Sequence, residues 1–319
     1  MTRPPVTLFV LAWRQERFVR AAIEGAFAQT CAPLEIVLSD DASPDGTYRV
    51  MQEMAAAYAG PHRVVLNRND RNLGLIGHLN RVMTLVSGDF VVQNAGDDVS
   101  APDRVEKLVA AWRADPGVRA VHSAVRRLDA AGRATPWVPE RPPMAGVSAA
   151  EVVADSRPGQ GRHLVGASMG WDRRLWDDFG PLPAAALIED RPIAFRAALS
   201  GSIAWIDAPL LDYRAGGASD GGGDAARGFY LKKQRWYRSF QRAYLADLDR
   251  RPGAEAPDAA DLRRAAAAEL ARLDFEIGLA EAGFAGRLAR LPAALRLALA
   301  RRDPGPLRAQ LKHLLRAGG

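Results

Sequence analysis

Gly88-Asp89-Phe90-Val91-Val92-Gln93-Asn94-Ala95-Gly96-Asp97-Asp98 is an apolar run that ends on two adjacent carboxylates. Such a run suits a strand buried on both faces of a parallel sheet, ending at Asp97. The acids then fall just past its carboxyl end, where open α/β sheets bind ligands. Two adjacent carboxylates offer hard oxygen ligands to Mg²⁺ or Mn²⁺. An Asp-Asp pair also serves simply as a turn and helix cap, so the rest of the chain must decide between the readings.

Outward from that strand, strand-like and helix-like segments alternate. Thr7 to Ala12 reads as a strand, and Phe18 to Gln29 as a helix with apolar spacing at Val19, Ile23 and Phe27. Leu34 to Leu38 is again a strand. It runs into Ser39-Asp40-Asp41-Ala42-Ser43-Pro44-Asp45-Gly46-Thr47, rich in caps and breakers. A helix from about Tyr48 to Ala59, a strand at Arg63 to Leu66, a polar loop through Asn72-Leu73-Gly74 and a helix around His78 to Val86 follow. This alternation predicts an α/β fold, a mostly parallel sheet flanked by helices with right-handed crossovers.

The second half changes character. Gly216 to Asp224 is a flexible loop by composition, either a flap over the site or a linker. Residues 225–319 are rich in alanine, leucine and arginine. Helical spacing runs through Phe229, Lys233, Trp236, Tyr237 and Phe240, then Leu262, Leu270, Leu273 and Ile277, with Pro252, Pro257, Pro292 and Pro304 dividing the helices. The expected organisation is a sheet domain over 1–224, with 1–100 and 101–224 as its halves, and a C-terminal α-helical appendage over 225–319.

Composition narrows the classes. With 319 residues, 48% hydrophobic and 25% charged, the chain can bury a sizeable core. The single cysteine, Cys31, excludes an internal disulfide and a cysteine-based zinc site. No apolar stretch reaches the roughly 20 residues of a membrane helix, and Val6 to Trp13 reads as a first strand rather than a signal peptide, so a cytoplasmic protein is expected. The net charge of +6 sits in the tail: residues 284–319 hold eight Lys/Arg against Asp303, which is +7 there and −1 for the rest. Phe284, Leu288, Leu291 and Leu295, then Leu307, Leu311 and Leu314, follow helical spacing between those arginines. Two readings fit equally: an amphipathic pair on an anionic membrane surface, or helices packed on the body with a solvated basic face. No basic and aromatic interleaving points to nucleic acid.

The ordered set Val6 to Arg14, Gln29-Thr30, Ser39 to Thr47, Asn72-Leu73-Gly74, Gly96-Asp97-Asp98, Pro102-Asp103-Arg104 and Gly166 to Arg174 resembles an inverting family 2 glycosyltransferase of the GT-A fold, over about residues 5–215. The resemblance implies a Rossmann-like sheet and transfer of a sugar from a nucleoside diphosphate sugar to a hydroxyl of a glycan or lipid-linked acceptor in cell-surface polysaccharide synthesis. It implies that Trp13 stacks on the base and that Asp41 or Asp40 accepts the N3–H of uracil or thymine. It further places Arg71 near the diphosphate, where a guanidinium suits phosphate oxygens. Asp97 and Asp98 would hold a divalent metal, Mg²⁺ or Mn²⁺, with Asp97 meeting the diphosphate.

The sequence departs from the family pattern twice. Ala95 stands where Asp-X-Asp has its first acid, and Ala215 lies near where a histidine ligand is often found. Inversion needs a base for the acceptor hydroxyl, and the resemblance assigns it to Asp190, with Glu189 orienting it or touching the acceptor. Taken alone, Glu189 and Asp190 also read as first-turn acids ahead of Pro192. Two other functions stay open: a noncatalytic sugar-nucleotide or glycan binder with a degenerate metal motif, and a nucleotidyltransferase, against which Ala12-Trp13-Arg14-Gln15-Glu16 lacks a glycine-rich phosphate loop. Trp171, Trp176 and Phe179 read as core, and His78, His122 and His163 show no metal-ligand spacing.

Overall fold

The computed structural model describes residues 6–129, 132–135, 142–155, 162–214, 226–250, 257–282 and 292. In chain order the elements are β1 (Val6–Ala12), α1 (Val19–Phe27), β2 (Glu35–Asp40), α2 (Thr47–Ala57), β3 (Arg63–Arg68), α3 (Gly74–Met83), β4 (Phe90–Ala95), β5 (Val99–Ser100), α4 (Arg104–Ala114), β6 (Val118–Leu128), β7 (Ala134–Thr135), α5 (Ala149–Ala154), β8 (Met169–Asp172), α6 (Arg174–Asp177), α7 (Asp190–Ser200), β9 (Ser202–Arg214), α8 (Ala226–Arg250) and α9 (Pro257–Glu281), with a 3₁₀ turn at Gly166–Ser168 before β8. The basic segment 284–319 apart from residue 292, Ala215 and the loop 216–224 lie outside the described residues.

The strands form one sheet in the order β3-β2-β1-β4-β8-β6-β9-β5, with β7 beside β6. β3, β2, β1 and β4 run parallel, while β8 runs antiparallel to both β4 and β6. Both faces of the parallel part are covered. Val6, Leu8, Val10 and Ala12 of β1 pack into one core with α1, α2 and α4, while Phe9 and Leu11 enter the other. A strand sandwiched this way is apolar at nearly every position; in β1 the exception is the buried Thr7, whose hydroxyl donates to Glu35 Oε1 at 2.9 Å.

The order reverses at β1, with β2 on one side and β4 on the other, so the crevice beyond the carboxyl ends of β1 and β4 is the topological switch point. β4 stops at Ala95 rather than Asp97. The Gly96 N–H bonds the Leu11 carbonyl at 2.8 Å and turns the chain there. α3 starts at Gly74, four residues before the apolar spacing suggests, because Asp41, far away in sequence, accepts the N–H groups of Leu73 and Gly74 at 2.8 and 2.9 Å. These bonds satisfy helix-start donors, with Asn72 Oδ1 also accepting the Gly74 N–H at 3.0 Å. Trp171 and Phe179 are buried as core, and Trp176 lies over the buried guanidinium of Arg196. α8 packs on α7, and α9 packs on α8 and α5.

Candidate active site

The loop after β1 is stitched to the loop after β2. Main-chain N–H groups of Arg14 and Gln15 donate to Ser43 Oγ at 2.9 Å and Thr47 Oγ1 at 2.8 Å, and the Asp41 N–H donates to the Ala12 carbonyl at 3.0 Å. Arg14 and Ala42 both hold φ +56°, a left-handed conformation that costs a non-glycine residue about 1–3 kcal/mol and gathers at functional sites. Trp13 projects from this loop 40% exposed, with the Arg14 guanidinium 5.1 Å from its ring centre.

Asp40 and Asp41 are both buried, and their oxygens are spent differently. Asp41 takes Asn69 Nδ2 at 2.7 Å as well as the start of α3, so it organises the 69–74 loop that carries Arg71 on its surface. Asp40 Oδ2 accepts the Ser43 N–H at 3.0 Å and meets Arg68 Nε at 3.3 Å, while its Oδ1 has no partner. His78 bonds Ser39 Oγ at 2.7 Å, and burial lowers its pKa to about 4, which keeps it a neutral structural group.

Gly96 is required where the turn after β4 meets the first loop: a Cβ there would lie 2.5 Å from Gln15 Oε1 and 2.7 Å from Ala12 Cβ. The turn leaves Asp97 partly exposed and directs Asp98 inward, where its Oδ1 accepts the Arg214 N–H at 2.8 Å. Burial, then the Asp97 charge, raises the Asp98 pKa well above the usual carboxylate range. A divalent cation would reverse that preference.

Arg104 holds the turn from beneath. Its Nη1 donates to Ser100 Oγ at 2.8 Å and Asn94 Oδ1 at 3.1 Å, and its Nη2 to the carbonyls of Ala167 at 2.6 Å and Gln93 at 2.7 Å. Burial lowers this guanidinium to about 9. The sequence signals were Pro102-Asp103-Arg104 and the polar pair Gln93-Asn94 closing an apolar strand; neither received a role from sequence reasoning.

Across β4 stands the second acid pair. Glu189 is buried at the foot of α7, where its Oε1 accepts Gln93 Nε2 at 2.6 Å. Burial and then the Asp190 charge raise its pKa to about 7. Asp190 is partly exposed, and its Oδ1 accepts the Arg191 N–H at 2.6 Å. Burial raises its pKa too, against the lowering effect of Arg191. Arg191 binds Asp155 and donates to the Arg162 carbonyl at 2.7 Å, and Tyr244 from α8 is buried within the same electrostatic neighbourhood. Gly166 is needed here as well, because a Cβ would lie 2.4 Å from Glu189 Oε1. A cavity of about 280 Å³ between the start of α3 and residues 184–187 is lined by Leu73, Leu75, Asn80 and Leu187.

The Gln93–Glu189 bond links β4, which leads to the turn with Asp97 and Asp98, to the start of α7 with Glu189 and Asp190, and Trp13, Asp40 and Asp41 follow the neighbouring strand ends. Among the described residues no three His, Cys, Asp or Glu side chains form a metal-holding group.

The mixed sheet flanked by helices is similar to GT-A glycosyltransferase structures. Residues 7–143 match the family model Glycosyl transferase family 2. The putative glycosyltransferase EpsE of Bacillus subtilis is 34% identical over 141 residues, 43% of this chain and 50% of EpsE, so the chain spans about half the length of that relative. TarS 1-349 of S. aureus, solved in complex with UDP-GlcNAc, superposes with a TM-score of 0.59 at 13% identity, over 97% of this chain and 89% of that one. The mannosyltransferase PcManGT of Pyrobaculum calidifontis, in complex with GDP-Man and Mn²⁺, gives 0.56 at 19% identity, over 99% and 88%. At these identities the two structures speak for the fold. No described helix is long and apolar enough to cross a membrane.

Proposed function

We propose that the chain is an inverting glycosyltransferase that moves a sugar from a nucleoside diphosphate sugar, UDP or dTDP favoured, to a hydroxyl of a glycan or lipid-linked acceptor in cell-surface polysaccharide synthesis. The observation that carries this reading is the Gln93–Glu189 bond of 2.6 Å, which ties the strand leading to Asp97 and Asp98 to the helix that begins at Asp190. Asp190 accepts the proton of the acceptor hydroxyl as that oxygen bonds to the anomeric carbon and the bond from that carbon to the diphosphate breaks. Its raised pKa suits a base that must hold this proton. Trp13 supplies a stacking face for the base, Asp40 or Asp41 meets its N3–H, and Arg71 lies on the loop facing the diphosphate. The cavity beside residues 184–187 gives an apolar portion of the acceptor a place.

The donor set fits a hard divalent ion: Asp97 is partly exposed, Asp98 adjoins it, and Mg²⁺ or Mn²⁺ takes one or two carboxylates plus substrate phosphates in such sites. When bound, the ion neutralises the diphosphate. Ala95 favours a second reading, a binder without turnover.

Calorimetric titration with UDP, dTDP, GDP and CDP, with and without Mn²⁺, on wild type and Asp97→Ala tests the donor site. Uracil or thymine diphosphate binding strengthened by Mn²⁺, and weakened about tenfold or more by the substitution when metal is present, is expected. No binding to any of the four removes the enzyme reading, and binding without measurable transfer supports the binder. The basic segment 284–319 is proposed to place the protein on an anionic membrane surface; equal liposome flotation without it would refute that.

A further inference from the structure

The side chains of Gln93 and Glu189 each have one satisfied and one unsatisfied end. Gln93 Nε2 donates to Glu189 Oε1 at 2.6 Å, while Gln93 Oε1 and Glu189 Oε2 are buried without a partner. With Glu189 ionised, both orphans are acceptors, and two buried acceptors cannot satisfy each other. One proton on Glu189 Oε2 turns one of them into a donor, and the amide and the acid then bond reciprocally.

We propose that Glu189 is held as a neutral acid whose Oε2 proton is donated to Gln93 Oε1, so that the Glu189-Asp190 pair carries a single negative charge, placed on Asp190. Gln93 is the positioning residue of this arrangement. The proposal deepens the reading above and rests on it for the role of Asp190.

The surroundings agree. The charge facing Glu189 from its own helix is Asp190, which opposes a second anion. β4 offers the neutral Gln93, whose main-chain carbonyl takes Arg104 Nη2 at 2.7 Å. The 3₁₀ turn presents Gly166, whose missing side chain makes room for Glu189 Oε1. Around Asp190 stand Arg191, itself bound to Asp155, and the Tyr244 hydroxyl. Burial together with the Asp190 charge brings the Glu189 titration up to about 7.

The experiment is a pH titration of the whole protein labelled with ¹³C at glutamate carboxyls, read by NMR and by infrared difference against Glu189→Gln. One glutamate carboxyl titrating at about 7, absent from the variant, is expected, with a hydrogen-bonded acid C=O band below that pH. Gln93→Leu should move that band to the higher frequency of an acid with no acceptor. A Glu189 carboxyl already ionised at about pH 6, or a band unmoved by Gln93→Leu, overturns the proposal. If Gln93→Leu does not fold, the wild-type titration still decides the protonation. Because the titration uses no donor or acceptor, its failure leaves the transferase reading standing, and a failure of donor binding leaves the titration interpretable.

Discussion

Asp97-Asp98, in the turn after β4, and Glu189-Asp190, at the head of α7, each set a buried acid beside a partly exposed one, but in opposite order and with different anchors. Asp98 is the inner member of the first pair and is fixed by a main-chain donor, the Arg214 N–H, which also draws the end of β9 onto the turn. Glu189 is the inner member of the second and is fixed by a side-chain amide that can both give and take a hydrogen bond. Each pair also rests on a buried arginine: Arg104 braces the turn, and Arg196, in a buried pair with Asp247 of α8, seats α7. The inner acid is held by a hydrogen bond from elsewhere in the chain, and the outer acid is the one proposed to meet a ligand. Adjacent carboxylates that look equivalent in a sequence are sorted by what lies beneath them.

The largest effect should fall on the seat of α7. Asp247→Ala leaves the Arg196 charge buried and unpaired, and it should lower stability by about 3–5 kcal/mol in urea unfolding. A loss under about 1 kcal/mol would mean that the helical region does not seat the second pair. Next comes chemistry: Asp190→Asn should cut turnover by ~10² or more while donor binding persists. Unchanged turnover would leave the two pairs without the division of labour argued here.

Gly166→Ala sharpens the packing side of the comparison. Its Cβ would push on Glu189 Oε1 from 2.4 Å, costing about 1–3 kcal/mol and disturbing the second pair while nucleotide titration at the first is spared. A further signal is in pH. The folded pKa of Glu189 lies at about 7 against an ordinary 4.5, so the native state holds a proton that the unfolded chain releases, and this stability is present below about 4.5 and lost as pH rises to about 7. Wild type should therefore lose stability relative to Glu189→Gln across that window. An unchanged difference would show that Glu189 titrates normally.

The α/β alternation, the first four strands, both acid pairs and the helical character of 226–250 and 257–281 were legible in the sequence, because doubly covered strands are apolar at nearly every position and helices repeat every 3.6 residues. The early start of α3 was not, since Asp41, just past the end of β2, accepts its first N–H groups. The roles of Arg104, Gln93 and Gly166 were equally hidden. Each depends on a carbonyl, a carboxylate or a close approach supplied from a distant part of the chain.

By itself, then, the sequence determined which side chains stand at the strand ends and helix starts, because local periodicity and turn chemistry decide where elements stop. Only the tertiary structure decided which acid of each pair is buried and what neighbours it meets. Desolvation, charge proximity and hydrogen-bond partnership arise from contacts such as Gln93 to Glu189 and Arg214 to Asp98, between residues far apart along the chain.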